Sequence, residues 1–192
     1  MVIGLYFGSF NPVHEGHVQV AQSFQKQSGV DQVWWVLSPQ NPFKKISDLA
    51  SFEHRSAMVQ LALPEGHKLC SIEQTLPLPS FTIQTLLALE QQFPENQWSI
   101  LMGADSWNAL PTWKQGAEIE ARYPIWVYPR NGQEKSAETF REGPYHALNG
   151  SCIDVSSTAV RKAMQEGKEK PAGVQLAVWD YIQQHSLFSG LI

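Results

Sequence analysis

The stretch VIGLYFGSFNPVHEGHVQVAQSFQK, residues 2–26, joins an apolar run to an amphipathic run through a loop that contains glycine and histidine. Val2 to Phe7 is predicted to form a buried strand and Glu15 to Lys26 a helix. The same alternation recurs along the chain, with predicted strands at 32–37, 69–73, 98–102, 124–128 and 153–155, and predicted helices at 52–63, 82–93, 157–165 and 174–184. This alternation predicts an α/β fold, a mostly parallel sheet with helices on both faces.

The totals of the chain are those of an ordinary globular protein. Its 192 residues are expected to form a single domain over 1–192, and 43% of them are hydrophobic and 17% charged. The net charge is −4, and no segment carries a basic stripe, which argues against a sequence-independent nucleic-acid binder. The polar, glycine-containing stretch 130–150 is interpreted as a surface excursion.

The cysteines and the hydropathy pattern indicate the cellular compartment of the protein. Cys70 and Cys152 lie in mainly apolar stretches outside any C-x-x-C motif, so we expect two buried free thiols and a cytoplasmic protein, with a disulfide or metal role as the alternative. The apolar start of the chain is short and lacks a basic leader, so it is interpreted as a strand and not a signal peptide. No run approaches the ~20 apolar residues of a membrane span.

The loop after the first strand has the composition of an anion site. Gly8 and Ser9 allow a tight turn that brings backbone N–H groups near a ligand. His14 and His17 are three residues apart at the start of a helix, where free N–H groups favour phosphate oxygens. A metal pair and two ordinary surface histidines remain the alternatives, although no Cys or third His lies nearby.

A second such segment begins at Ser156. Ser156 or Ser157 can cap the helix that follows, yet three consecutive hydroxyl residues exceed what a cap needs. Thr158 and Arg161 share a helix face, and the planar guanidinium suits phosphate. The segment is either a second anion site or an ordinary capped helix with a solvated arginine.

Together, the two segments resemble the nucleotidyltransferase superfamily that is marked by an H-x-G-H loop and a late S-S-T-x-[IV]-R motif. Within it, the chain resembles the nicotinate-nucleotide adenylyltransferases of NAD biosynthesis over nearly its whole length. The supporting stretches are Ser38–Lys45, Phe81–Thr85, Gly103–Trp113 and Val178–Phe188. The resemblance implies a Rossmann-like, doubly wound sheet, and AMP transfer from ATP to nicotinate mononucleotide with release of pyrophosphate.

The resemblance also implies a role for each matching residue. His14 and His17 would stabilise charge at the α-phosphorus, and Arg161 would complete the catalytic set. The ATP contacts would come from Gly8, Ser9, Phe10, His14, His17, Gly103, Asp105, Ser156, Thr158 and Arg161. Substrate contacts would come from Lys44 or Lys45 at the phosphate, Trp113 stacked on the pyridine ring, and backbone donors at Phe81 and Thr82. Mg²⁺ would be held mainly by the ATP phosphates and not by protein ligands.

Several alternatives stay open. Asp105 is alternatively a helix cap, Trp113 a core residue, and Lys44 and Lys45 solvated charges, whereas Trp107 is expected to be structural. The loop has Asn11 where the bacterial enzymes more often carry Asp, and Phe43-Lys44-Lys45 replaces Pro-His-Lys or Pro-His-Arg. Asn11 leaves nicotinamide mononucleotide open as the substrate, and Phe43-Lys44-Lys45 leaves open which lysine is the working cation. The nearest rival is another adenylyl or cytidylyl transferase of the superfamily, such as phosphopantetheine adenylyltransferase, but Trp113 and Phe81–Thr85 argue against it. A nucleotide sensor and a homo-oligomeric assembly are also compatible with the sequence, but no membrane or nucleic-acid partner is expected.

Overall fold

Six strands form one sheet in the computed structural model, which describes residues 1–39, 49–129, 141–150 and 155–189. The strands are β1 (Val2–Gly8), β2 (Gln32–Leu37), β3 (Lys68–Cys70), β4 (Gln97–Gly103), β5 (Ile125–Tyr128) and β6 (His146–Ala147). They lie in the order β3-β2-β1-β4-β5-β6, and each neighbouring pair is parallel. This is the strand order of a doubly wound Rossmann-like sheet, so the predicted fold class is confirmed.

Helices pack on both faces of this sheet. They are α1 (Glu15–Ser28), α2 (Phe52–Ala62), α3 (Thr82–Gln92), α4 (Ala104–Ala109), α5 (Gly116–Arg122), α6 (Ser157–Gln165) and α7 (Leu176–Gln184). Buried side chains of α1, α2, α6 and α7 share one core, whereas those of α3, α4 and α5 belong to the other. None of these helices in the described ranges is both long and apolar enough to cross a membrane.

The strands feed both cores because successive side chains point to opposite faces. In β2, Val33 and Trp35 face the first core, while Trp34 and Val36 face the second. Strands buried on both faces are nearly continuous apolar runs, which is why the sequence pattern located them.

The winding direction of the chain reverses between β1 and β4. The connections through α1 and α2 lie on the face of the first core, and those through α3 and α4 lie on the opposite face. Adjacent strands whose connections diverge leave a crevice at their carboxyl ends, and ligands of such sheets bind there. The predicted loop after β1 and the segment after β4 therefore open into the same crevice.

Several boundaries differ from the sequence-based prediction, among them the end of β3, the start of α7 and the extent of the excursion at 130–150. The strand predicted at 69–73 ends at Cys70, and Glu73 lies in a short 3₁₀ helix, Ile72–Thr75. The last helix begins at Leu176 and not at Val174, because Gln175 has an extended backbone. The excursion predicted at 130–150 returns to the sheet as β6, where the N–H of Leu148 donates to the carbonyl of Val127 at 2.8 Å.

Other predictions fall wholly or partly outside the described residues. The strand predicted at 153–155 is one of them, since only Val155 is described, and it is not in a strand. Cys152 also lies outside, whereas Cys70 is a buried free thiol as predicted. The short helices α4 and α5 were not predicted, because each spans less than two full turns and shows too little periodicity.

Gly4→Ala tests the packing of the central strand. A Cβ at Gly4 would overlap the ring of the fully buried Phe24 in α1, and overpacking of this kind costs about 1–3 kcal/mol. We expect urea denaturation to show a loss of this size, and Phe24→Leu to offset part of it in the double variant. Additive losses in the double-mutant cycle would contradict the predicted contact.

Candidate active site

The two histidines of the first loop lie in close contact at the start of α1, with their rings tilted against each other. Their ring centroids are 3.7 Å apart, with an interplanar angle of 30°. The backbone N–H of His14 donates to Nδ1 of His17 at 3.2 Å. Because Nδ1 accepts this bond, Nε2 is the ring nitrogen of His17 that carries a proton and can act as a donor.

Unpartnered buried polar atoms are concentrated in the same loop. In the described ranges, Ser9 Oγ and His14 Nδ1 are two of the four buried side-chain polar atoms without a hydrogen-bond partner. Such atoms are costly to leave unsatisfied, and in a crevice they indicate the place of a ligand. Burial also lowers the pKa of His14 to about 4, so its imidazole is neutral at physiological pH.

Gly16 explains the small residue inside the H-x-G-H motif. A Cβ at this position would lie 3.0 Å from Nδ1 of His14 and 3.4 Å from Cγ1 of Val155. Both contacts are tight, so a side chain here would shift the imidazole. The glycine therefore keeps the histidine in place as well as leaving room beside it.

A buried arginine in α2 fixes the loops around the crevice. Arg55 is 1% exposed, and its guanidinium donates to the carbonyls of Ser9, Ser38, Pro39 and Ala50 at 2.7–3.0 Å. These carbonyls belong to the segments that follow β1 and β2 and to the segment that precedes α2. Burial lowers the pKa of Arg55 to about 10, which leaves it charged at neutral pH.

The start of α6 is tied to the first loop. Ser157 Oγ donates to the carbonyl of Pro12 at 2.9 Å, and Arg161 Nη1 donates to the carbonyl of Asn11 at 2.8 Å. The Oγ of Ser156 accepts from the N–H of Ala159 at 3.1 Å, so Ser156 is the N-cap and its hydroxyl proton remains available. The structure thus brings both predicted anion segments to one place.

A separate pocket of about 470 Å³ opens beside them, between the end of β1 and the starts of α3 and α4. Its lining includes Gly8, Asp105, Phe81, Thr82 and Trp113, all predicted as ATP or substrate residues. Trp113 is half-buried, and it packs against the second core as well as lining the pocket, while its stacking on the pyridine ring stays a prediction.

The floor of this pocket contains a buried acid that the sequence did not single out. Glu73 is 3% exposed and accepts from Ser80 Oγ at 2.8 Å and from Thr85 Oγ1 at 2.9 Å. Burial raises its pKa above the usual range, and the hydrogen bonds partly offset that effect. Because Ser80 and Thr85 flank Phe81 and Thr82 in the chain, Glu73 fixes a segment that lines the pocket.

The remaining predicted residues are placed as follows. Gly103 precedes α4 as its N-cap, and a Cβ there would lie 3.3 Å from the Tyr128 ring. Asp105 lies in the first turn of α4 and is therefore not its cap. Trp107 is fully buried, as predicted, and Lys44 and Lys45 lie outside the described residues.

Two further features of the site are the conformation of Phe10 and the types of donor group that the site contains. Phe10 is buried with a left-handed backbone (φ 43°), and its ring centroid lies 5.1 Å from that of His17. In the described part of the chain, no group of three or more His, Cys, Asp or Glu side chains is placed to hold a metal ion. The donors that do converge are imidazole, hydroxyl and guanidinium groups, which suit phosphate oxygens.

Arg55, Glu73 and Lys114 are the pocket and loop residues that the sequence analysis missed. One signal was available: Arg55 lies three and four residues before the buried Met58 and Val59, on the apolar face of its helix. A charge on such a face is a candidate for a buried, fully bonded group. Glu73 and Lys114 gave no comparable signal, since their surroundings depend on how distant segments pack.

Comparison with known proteins agrees with this geometry. A family model described as cytidylyltransferase-like matches residues 5–163. A protein of Flavobacterium johnsoniae described as "probable nicotinate-nucleotide adenylyltransferase" is 35% identical over 191 residues, covering 98% of this chain and 99% of the relative. Its counterpart in Flavobacterium psychrophilum, described in the same words, is 37% identical over 191 residues and 98% of both chains.

Solved structures show the same fold. The nicotinic acid mononucleotide adenylyltransferase of Plasmodium falciparum, solved in complex with NaAD, superposes with a TM-score of 0.78. The match covers 97% of both chains at 19% sequence identity. A putative nicotinate-nucleotide adenylyltransferase of Vibrio parahaemolyticus superposes with a TM-score of 0.69 at 17% identity, over 99% of this chain and 96% of the other.

The lowered pKa of His14 predicts a pH dependence of stability. In the unfolded chain this imidazole takes up a proton near pH 6.5, whereas in the folded chain it does so only near pH 4. The contribution to stability is therefore present above pH 6.5 and is lost as the pH falls towards 4, by about 3 kcal/mol. Urea unfolding between pH 7 and 4 should show this extra loss in the wild type relative to His14→Gln. Parallel curves for the two proteins would contradict it.

Arg55→Met tests the loop anchor. The substitution leaves four carbonyls without their donor, so we expect a loss of about 3 kcal/mol or more in the free energy of unfolding. Tryptophan fluorescence during urea denaturation measures it. Arg122→Met is the matched control, because Arg122 is a surface residue with ion pairs to Glu90 and Glu118, and its loss should change stability little. Equal effects in the two variants would refute the anchoring role.

Proposed function

Because the chain belongs to the cytidylyltransferase-like family and, within it, to the nicotinate-nucleotide adenylyltransferases, we propose that it transfers AMP from ATP to nicotinate mononucleotide. The products are deamido-NAD and pyrophosphate, and the reaction belongs to NAD biosynthesis. The observation that carries the proposal is the joining of the two anion segments: Arg161 and Ser157 bond to the loop that carries the histidine pair.

The reaction needs no protein nucleophile. The 5′-phosphate of the mononucleotide is itself a nucleophile at neutral pH and attacks the α-phosphorus of ATP in line, while pyrophosphate leaves. Catalysis then depends on positioning and on donors aimed at the charge that develops on the phosphate oxygens. Nε2 of His17 is such a donor, because Nδ1 already accepts from the His14 backbone.

His14 contributes through its environment. Its neutral imidazole carries an unpartnered buried Nδ1, as the same loop carries an unpartnered Ser9 Oγ, and both atoms are suited to form hydrogen bonds with the bound nucleotide. Anionic oxygens close to the ring would raise its pKa, so its hydrogen bonds strengthen as negative charge accumulates. This is the differential interaction that accelerates a chemical step.

The leaving pyrophosphate is assigned to α6. Ser156 and Thr158 are exposed at its first turn, and Arg161 keeps part of its donor fork available beside the bond to Asn11. Together with the free N–H groups of the helix start, these groups form a site for the β- and γ-phosphates.

Mg²⁺ is proposed as the partner of the ATP phosphates. When bound, it draws negative charge from the phosphate oxygens and retains several waters, so it does not require a cage of protein carboxylates. The described groups around the crevice are hydroxyl, imidazole and guanidinium groups, which suit the phosphate oxygens that would hold the ion.

We assign the pyridine ring to Trp113 in the pocket, and the ribose of adenosine to Asp105, which also lines the pocket, and to Gly103, the N-cap of α4. The half-buried indole of Trp113 lines the pocket together with Phe81 and Thr82. We assign the substrate phosphate to Lys44 or Lys45. We further propose that residues 1–192 act as a single domain in the cytoplasm, where the buried free thiol of Cys70 stays reduced.

Pyrophosphate release tests the function directly. With ATP and Mg²⁺, we expect release with nicotinate mononucleotide, less with nicotinamide mononucleotide and none with phosphopantetheine. His17→Ala should lower kcat by about 10²–10³-fold, the usual cost of one donor to a transition-state oxyanion. His185→Ala is the control and should keep full activity, because His185 lies outside the site, in ring contact with Tyr181. No release with either pyridine mononucleotide would overturn the assignment.

A further inference from the structure

Among the described side chains that line the pocket, acidic groups outnumber basic groups. Among its described lining residues are two acids, Glu73 and Asp105, and a single base, Lys114. The carboxyl of Glu73 is engaged by Ser80 and Thr85. A negatively charged substrate group that enters this pocket is therefore surrounded by more acidic than basic side chains, and Lys114 is the cation among the described ones.

Lys114 lines the pocket beside Phe81. It directly follows Trp113, and its Nζ lies 4.8 Å from the ring centroid of Phe81, which also lines the pocket. Within the described residues, its ammonium makes no ion pair with a carboxylate. The ammonium is thus held over an aromatic ring, with its charge available to a ligand.

We propose that Lys114 is a specificity-determining residue, whose ammonium pairs with the carboxylate on the pyridine ring and so selects nicotinate over nicotinamide mononucleotide. This inference rests on the proposed function. Nicotinate carries a negative carboxylate where nicotinamide carries a neutral amide, and the two mononucleotides are otherwise identical. A cation at the ring end of the pocket therefore distinguishes the two mononucleotides, whereas a cation at the phosphate end does not.

The placement of the pocket assigns Lys114 to the ring end. The substrate phosphate must reach the α-phosphorus of ATP, which is held at the start of α1 by His14 and His17. Neither histidine lines this pocket, whereas Trp113, Lys114 and Phe81 do. The aromatic side chains on both walls also displace water, which strengthens the attraction between an ammonium and a carboxylate.

The experiment compares kcat/KM for the two mononucleotides in the wild type, Lys114→Met and Lys114→Arg. We expect Lys114→Met to reduce the preference for nicotinate mononucleotide by roughly three- to ten-fold, as fits one partly exposed ion pair. Lys114→Arg should keep most of the preference. Lys68→Met is the matched control, because Lys68 also lies over an aromatic ring, that of Trp34 at 5.7 Å, but outside the pocket.

Each other outcome counts against the proposal. An equal fall for both mononucleotides in Lys114→Met would assign the lysine to the phosphate, and unchanged values would show that it contacts neither group. A preference that does not weaken as ionic strength rises would also overturn a charge–charge origin. Absence of wild-type activity with both mononucleotides would instead refute the proposed function, so the two failures are distinguishable.

Discussion

The buried guanidinium of Arg55 is the interaction on which the carboxyl edge of this sheet depends. A parallel sheet ends in loops whose carbonyls need donors, and here four of those carbonyls receive them from one side chain. An arginine suits this role because its planar fork offers five donors in fixed directions and stays charged when buried. The bond to the Ser9 carbonyl therefore fixes the backbone of the first loop to α2. Ser9 Oγ and His14 Nδ1 remain unpartnered within it, in position for a ligand.

An acidic chain can bind polyanionic substrates because the relevant charges are local. The net charge of −4 says little about a crevice in which helix starts, hydroxyls and imidazoles converge. The imidazole of His14 is neutral in the free protein, so it does not attract anions at long range. Its interaction grows only when phosphate oxygens lie against it. A site of this kind binds the transition state more strongly than the ground state.

The sequence predicted what is encoded locally. Apolar runs and their spacing located β1, β2, β4 and β5, and the H-x-G-H loop and the Ser156–Arg161 segment each stood at a predicted helix start. What it could not predict depends on contacts between distant segments. Glu73 was predicted to lie in a strand because its neighbours are apolar. It lies instead in the short 3₁₀ helix, and its carboxyl accepts hydrogen bonds from Ser80 and Thr85. The two-residue β6 is too short for any periodicity to show.

The selectivity proposed for the pocket depends on two segments that different parts of the chain supply. The first is the start of α3, which follows Phe81, whose side chain has no acceptor to satisfy the free N–H groups of the first turn. Those donors and the helix dipole favour a negative group but can also donate to a neutral carbonyl oxygen. The second is Lys114, whose positive charge distinguishes a carboxylate from an amide. In the proposed arrangement, the backbone donors position the ring substituent and the ammonium determines which substituent is preferred.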